Sequence, residues 1–253
     1  MFKAFLNSTR RVIGKSSRSV PTGVRIYAIG DIHGCADRLD QLHALIDEDL
    51  ESAPPAAVHV IYLGDYINRG PDSKGVLDRL TQPAPEGIVR IFLRGNHEEM
   101  LLAFLDDPSR GETWCTCGGY ETLMSYRIDP RAVLARGGFA ALAEELVARL
   151  APAHKGFLTG LQSSYSTGDY FFCHAGVRPG VPLDQQDPRD LLRIRHEFLE
   201  SDVEHGKLIV HGHTPVDAAE IRDNRICIDT GAYATGRLTT LVLEGEDRRF
   251  LHT

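Results

Sequence analysis

The chain has 253 residues, 42% of them apolar and 25% charged, which suits one large or two small domains built on a sizeable core. Its net charge of −7 is uneven: the first 30 residues hold six Lys or Arg (Lys3, Arg10, Arg11, Lys15, Arg18, Arg25) and no acid, leaving 22 basic residues against all 35 acidic ones in the remainder. An acidic body of this kind offers no footprint for a nucleic-acid backbone and excludes nucleic acid as the main partner. No stretch approaches the roughly 18 apolar residues of a membrane span, so a membrane partner is not expected either.

Residues 1–23 read as a basic, solvated tail, followed by a single domain over 24–253. Val12-Ile13 is far too short for the apolar run of about 7–15 residues in a secretory signal. The five cysteines (Cys35, Cys115, Cys117, Cys173, Cys227) are odd in number. Without a signal segment they point to free thiols and a reducing, cytoplasmic location. Cys115-Thr116-Cys117 lacks the spacing of a zinc knuckle and reads as ordinary loop thiols.

From residue 24 onward, apolar runs lead directly into polar signatures. "VRIYAI" (24–29) precedes Gly30-Asp31-Ile32-His33-Gly34, "VHVIYL" (58–63) precedes Gly64-Asp65-Tyr66, and "IVRIFLR" (88–94) precedes Gly95-Asn96-His97-Glu98. Further on, "YFFC" (170–173) precedes His174-Ala175-Gly176, "KLIV" (207–210) precedes His211-Gly212-His213-Thr214, and "RICI" (225–228) precedes Asp229-Thr230-Gly231. Short runs of Val, Ile, Tyr and Phe bounded by Gly predict buried strands. Leu39, Leu42, Leu45, Ile46 and Leu50 recur at helical spacing, and a shorter helix is predicted over 73–80.

Strand–helix alternation predicts an α/β fold with a mostly parallel sheet, whose carboxyl-end edge is where such sheets bind ligands. Residues 104–162 break the alternation and predict a mostly helical insertion. Residues 163–172 and 219–251 predict further strands, with a turn at Asp223-Asn224, so the expected architecture is two packed mixed β-sheets flanked by helices.

Asp31, His33, Asp65, Asn96, His174 and His213 are the side-chain types that hold a pair of divalent cations. Such pairs sit about 3.5–4 Å apart around a bridging carboxylate and clamp both oxygens of a displacement at phosphorus. Asp31 and His33 are two residues apart, so both can point the same way from an extended strand end. Any one such residue is more often a helix cap or a hydrogen-bonded core group; five signatures at one sheet edge are not explained that way.

The chain resembles the calcineurin-like metallophosphoesterases, and within them the bacterial phosphoprotein phosphatase (serine/threonine protein phosphatase) branch. The matching blocks are "GDIHG" (30–34), "GDYINRG" (64–70), "LRGNHE" (93–98), "HAG" (174–176) and "HGHTP" (211–215), with further likeness through "GGYETLMSY" (118–126), "LLRIRHEFL" (191–199) and "IDTGAYATGRLTTL" (228–241). The resemblance implies two divalent metals, manganese first, with iron or zinc as alternatives. Asp31, His33 and Asp65 would hold one, and Asp65 would bridge to a second held by Asn96, His174 and His213. His211 falls beside the ligand position, and Pro215 stands where many relatives outside this branch carry another His. A metal-bridging hydroxide would attack phosphorus in line without a phosphoenzyme. Arg69 and Arg195 would grip phosphoryl oxygens, and His97 would protonate the leaving oxygen. Arg94 and Glu98 read as a supporting ion pair.

One position departs from the family pattern Gly-Asp-x-x-Asp-Arg-Gly: Asn68 stands where the second Asp belongs. The family's carboxylate favours a protonated His, whereas Asn can accept a bond from the imidazole but brings no charge. His97 is therefore expected to be a weaker acid, to the least detriment of leaving groups such as aryl alcohols. The expected substrates are phosphomonoesters, first among them phosphoserine and phosphothreonine in proteins, or another small phosphoester. The alternatives are a dinucleoside polyphosphate (diadenosine tetraphosphate) hydrolase or phosphodiesterase and, from Asn68 alone, a catalytically weak phosphate-binding module. Substrate choice is expected to rest on the 104–162 insertion and the loop near Tyr233.

Overall fold

A computed structural model describes Arg11–Lys15 as backbone and residues 18–253 in full. In chain order, β1 (Arg11–Lys15) and β2 (Val24–Ile29) precede α1 (Ala36–Ser52), β3 (Ala57–Tyr62), α2 (Ser73–Leu80) and β4 (Ile88–Phe92). Helices then follow one another: α3 (Asn96–Asp106), α4 (Gly111–Trp114), α5 (Tyr120–Ser125), α6 (Pro130–Arg149) and α7 (Pro152–Thr159). A π-helical stretch over Cys115–Gly119 joins α4 to α5. The second half supplies β5 (Ser164–Thr167), β6 (Tyr170–Cys173), α8 (Pro188–Arg193), α9 (His196–Leu199), β7 (Leu208–His211), β8 (Glu220–Ile221), β9 (Arg225–Cys227), α10 (Ala232–Thr235), β10 (Thr239–Glu244) and β11 (Asp247–His252).

The strands form two mixed sheets. The first has the order β1-β11-β10-β2-β3-β4, with β2, β3 and β4 parallel. The second has the order β5-β6-β7-β9-β8, with β6, β7 and β9 parallel. Alternation along β2 divides its side chains between layers. Ile26 and Ala28 join the core between the sheets, with Ile61, Phe172, Val210 and Ile226. Tyr27 and Ile29 join the outer core beneath α1 and α2, with Leu39, Leu42, Ile46, Val76 and Leu77. Both faces are covered, which is why these strands read as continuous apolar runs. On the far side, Leu191, Ile194 and Phe198 cover Phe171 and Ile209 of the second sheet.

The tail reading of residues 1–23 is corrected in part. Arg11–Lys15 pairs antiparallel with β11 at the edge of the first sheet, and Val20 is buried between the sheets. The remainder of that segment's basic stretch, residues 1–10 and 16–17, lies outside the described residues. The Cys-x-Cys pair sits in the π-helical stretch and not in a loop, with Cys115 buried and Cys117 half-buried, and both thiols are free. No helix among the described residues is long and apolar enough to cross a membrane.

The parallel strands place their carboxyl ends together. Asp31, Asp65 and Asn96 follow β2, β3 and β4; His174, His213 and Asp229 follow β6, β7 and β9. The expected single edge is thus two edges, one from each sheet.

Candidate active site

The loops at this edge are held by one buried carboxylate. Glu98 accepts from the backbone N–H groups of Asp65 (3.0 Å), Tyr66 (2.8 Å), Ile67 (3.3 Å) and Gly95 (3.0 Å). It joins the loop after β3 to the start of α3, a role that no local sequence pattern announces. The expected Arg94–Glu98 ion pair does not form: Arg94 donates instead to the carbonyls of Thr159 and Leu161. Asp65 Oδ1 in turn accepts from His97 N at 3.1 Å. Gly95 permits this contact, since a Cβ there would lie 2.1 Å from Asp65 Oδ1. Five of the six described non-glycine residues with positive φ belong to the site: His33, Asp65, Asn68, Arg69 and His213. Such conformations persist only where surrounding contacts enforce them.

Asp65 is the hub. Its Oδ2 lies 3.4 Å from His33 Nε2, 3.4 Å from His174 Nε2 and 3.8 Å from His97 Nε2. His33 Nδ1 donates to the carbonyl of Ile67 at 2.9 Å, and His174 Nδ1 donates to that of Leu63 at 3.0 Å. Each imidazole therefore turns its Nε2 lone pair toward a carboxylate oxygen, and two acceptors facing each other call for a cation between them. His174 Nε2 also lies 3.0 Å from Asn96 Oδ1 and 3.2 Å from His213 Nδ1. Asp31 accepts from His213 N at 3.1 Å with Oδ2, while its buried Oδ1 has no hydrogen-bond partner. Among the described residues, two groups of potential ligand atoms lie within 4.8 Å of one another: His33, Asp65 and His97, and Asp65, His174 and His213.

The electrostatics agree with this geometry. Burial pushes Asp65 up to about 7, and Asp31 rises for the same reason, reinforced by Asp229 and Asp65. Burial lowers His33 to about 3 and His174 to about 4, so both rings are neutral at physiological pH. Buried carboxylates beside neutral imidazoles are a donor set that fits divalent cations.

Around this centre stand the groups expected to handle substrate. Asn68 Nδ2 lies 2.8 Å from His97 Nδ1, and Asn68 Oδ1 accepts from Thr122 Oγ1 at 2.7 Å. Asn68 can accept from an imidazole, but here its oxygen is occupied by Thr122 and its amide nitrogen is the atom that faces Nδ1. That arrangement suits a neutral His97 with its proton on Nε2. Burial, with His33 and Arg69 nearby, pushes its pKa far down. Arg69 lies over the Tyr233 ring, 4.9 Å from the centroid, and Arg195 Nε donates to His213 Nε2 at 3.2 Å. His211 is buried against Phe198 with Nδ1 near Gly212 O, outside both ligand groups.

Asp229, the acid that follows β9, also lies at this edge, and no local sequence signal marks a role for it. It is buried, its Oδ1 accepts from Gly231 N at 2.9 Å, and it bears electrostatically on Asp31. Thr122 carried no signal beyond its place in "GGYETLMSY".

The sequence model of the calcineurin-like phosphoesterases matches residues 24–238, and the chain belongs to that family. It is a metallophosphoesterase, a phosphoester hydrolase of the metal-dependent kind. Bis(5'-nucleosyl)-tetraphosphatase PrpE [asymmetrical] of Bacillus cereus (strain AH820) is 26% identical over 239 residues, covering 84% of this chain and 88% of that protein. A symmetrical bis(5'-nucleosyl)-tetraphosphatase of Ralstonia nicotianae is 40% identical over 77 residues, 30% of this chain and 24% of that protein. Among solved structures, one provisionally assigned as a diadenosine tetraphosphatase superposes with a TM-score of 0.61 at 20% identity, covering 94% of this chain and 98% of that one. A cold-active protein-tyrosine phosphatase of a psychrophilic Shewanella superposes with a TM-score of 0.53 at 18% identity, covering 89% and 78%. At these identities the superpositions establish the fold alone.

Proposed function

We propose that this protein hydrolyses dinucleoside polyphosphates, cleaving a phosphoanhydride bond. The observation that carries this reading is the Asn68–His97 contact, in which the amide donates to Nδ1 and no carboxylate stands behind the ring. An imidazole so held keeps Nε2–H as a hydrogen-bond donor but is a poor source of a full proton. A nucleotide leaves from a phosphoanhydride as a weakly basic phosphate oxygen and needs little protonation. Serine and threonine leave as strongly basic alkoxides and need much. The tetraphosphatase relatives along most of the chain support the same substrate class.

The residues divide the work. Asp31, His33, Asp65, Asn96, His174 and His213 would hold two divalent cations, with manganese the first candidate and iron or zinc the alternatives. When bound, these supply Lewis acidity at the phosphoryl oxygens and activate the attacking water. Arg69 and Arg195 offer guanidinium groups to the remaining phosphoryl oxygens. His97 donates Nε2–H to the leaving oxygen. Tyr233, exposed at the rim and edge-on to His33 at 5.3 Å, presents an aromatic surface to the rest of the substrate.

A second reading, phosphomonoesterase action, survives for aryl esters, because a phenolate also leaves with little protonation. The weak phosphate-binding module would show no turnover of any ester. Manganese-loaded protein offered diadenosine tetraphosphate, a phosphoserine peptide, a phosphotyrosine peptide and p-nitrophenyl phosphate separates the three. Release of nucleotides at the highest kcat/KM is expected, and their identity by chromatography distinguishes ATP plus AMP from two ADP. Preference for the phosphoserine peptide would overturn the reading.

A further inference from the structure

Asn68 and Arg69 are consecutive non-glycine residues in the left-handed region, with φ of 73° and 68°. An L-residue enters this region at a cost, and two in succession need external support. Part of it comes from the loop after β2. Gly70 packs so closely on His33 that a Cβ would lie 2.0 Å from the His33 carbonyl oxygen. The rest comes from the helical insertion, about 50 residues further along the chain. Arg69 N donates to Gly118 O at 3.1 Å. Asn68 N donates to Thr122 Oγ1 at 3.0 Å and to Ser73 Oγ at 2.9 Å, and Thr122 Oγ1 donates back to Asn68 Oδ1.

Gly118 sits where the insertion departs from α-helical form. The π-helical stretch carries Cys117 at φ −85°, ψ 15° and Gly118 at φ 99°, ψ 15°. A Cβ on Gly118 would lie 2.6 Å from Arg69 N and 2.8 Å from Arg69 Cγ. Gly119 next to it packs on the face of Trp114, which stacks on Phe104 with centroids 5.0 Å apart. The stretch is thus anchored behind by a buried aromatic pair and pressed in front against the Asn68–Arg69 turn. Local departures to π-helix inside α-helices recur at functional sites.

We propose that residues 115–122 are a positioning clamp. They hold the strained Asn68–Arg69 turn so that the Arg69 guanidinium is fixed at the metal centre, ready for a phosphoryl oxygen. Gly118 and Thr122 are positioning residues that act through Arg69 and Asn68 and touch no substrate themselves. The insertion therefore completes the phosphate-binding site and does more than border it. The proposal rests on Arg69 being the phosphate grip, as in the reading above.

The test compares Gly118→Ala, Arg69→Ala and the double variant as manganese-loaded full chains. The readouts are affinity for inorganic phosphate by calorimetry, kcat/KM on p-nitrophenyl phosphate, and bound manganese. Arg69→Ala is expected to weaken phosphate binding about tenfold or more, the scale of a lost charge-assisted contact. Gly118→Ala is expected to match it with manganese content unchanged, and the double variant to be no worse than Arg69→Ala alone. Because Gly118→Ala also meets a positive φ, Thr122→Val and Thr122→Ser form a second arm. Val is expected to lose phosphate affinity and Ser, which keeps the hydroxyl, to restore it. Losses that multiply in the double variant, or wild-type phosphate affinity in both Gly118→Ala and Thr122→Val, would overturn the clamp while leaving Arg69 in its role. Unchanged affinity in Arg69→Ala would overturn both.

Discussion

Replacing Asn68 with Asp changes one atom type in a fully buried contact. The amide nitrogen 2.8 Å from His97 Nδ1 becomes a carboxylate oxygen, while the other oxygen can still accept from Thr122. The hydrogen bond to the ring reverses direction: Nδ1 now donates, and the imidazolium gains a negative neighbour. An opposite charge at this distance typically raises a His pKa by about 1–3 units. One unit is about 1.4 kcal/mol between the protonation states, or roughly tenfold in the population able to donate a full proton. The gain reaches the rate only where proton transfer to the leaving oxygen limits it. Asn68→Asp is therefore expected to raise kcat on a phosphoserine peptide or an alkyl phosphate by about tenfold or more. On p-nitrophenyl phosphate and diadenosine tetraphosphate the change is expected to stay within about threefold, since those groups need little protonation. Steady-state kinetics on the four substrates, at matched manganese occupancy, read this out. Equal factors on all four would refute the role given to Asn68 and the substrate preference built on it.

Three other expectations follow from the same contacts. In chelator, Asp65→Asn removes a carboxylate whose pKa is raised to about 7, so wild type should lose stability relative to the variant as pH rises from about 4 through 7. Denaturation at pH 5 and pH 8 checks this, and added manganese should reverse the order at pH 8 by stabilising only the wild type. A wild type that gains on the variant as pH rises in chelator would contradict it. Glu98→Ala strips the acceptor from four backbone N–H groups and is expected to cost at least about 3 kcal/mol in urea denaturation, whereas a loss below about 1 kcal/mol would show the two loops to be independently stable. Tyr233→Ala removes the ring beneath Arg69, a contact worth about 0.5–1 kcal/mol at an exposed site. It should raise KM roughly two- to fivefold with kcat nearly unchanged, and a fall confined to kcat would place Tyr233 in the chemical step instead.

The candidate ligand types and the strands that carry them were legible because their signal is local. Asp31, His33, Asp65, Asn96, His174 and His213 each follow an apolar run whose composition marks it as a buried strand, and parallel strands bring their carboxyl ends together whatever the intervening length. Helices α1 and α2 were legible for a similar reason, since apolar side chains recur at the period of the helix that buries them. The strand at Arg11–Lys15 is not legible in the basic segment because an edge strand takes its stability from pairing with β11, a partner more than two hundred residues away.

Only the tertiary structure decided which partner each polar group found. Glu98 looked like half of an ion pair with Arg94 and instead caps four backbone N–H groups from two loops. Asp229 joined the site through its charge acting on Asp31, and Gly118 and Thr122 by closing on a turn in a distant loop. The sense of the Asn68–His97 bond depended on the hydroxyl of Thr122, which occupies the amide oxygen and turns the N–H toward the ring. Residue type and strand position are written along the chain. The direction of a buried hydrogen bond is set by every donor and acceptor packed around it, and those come from segments that share no sequence neighbourhood.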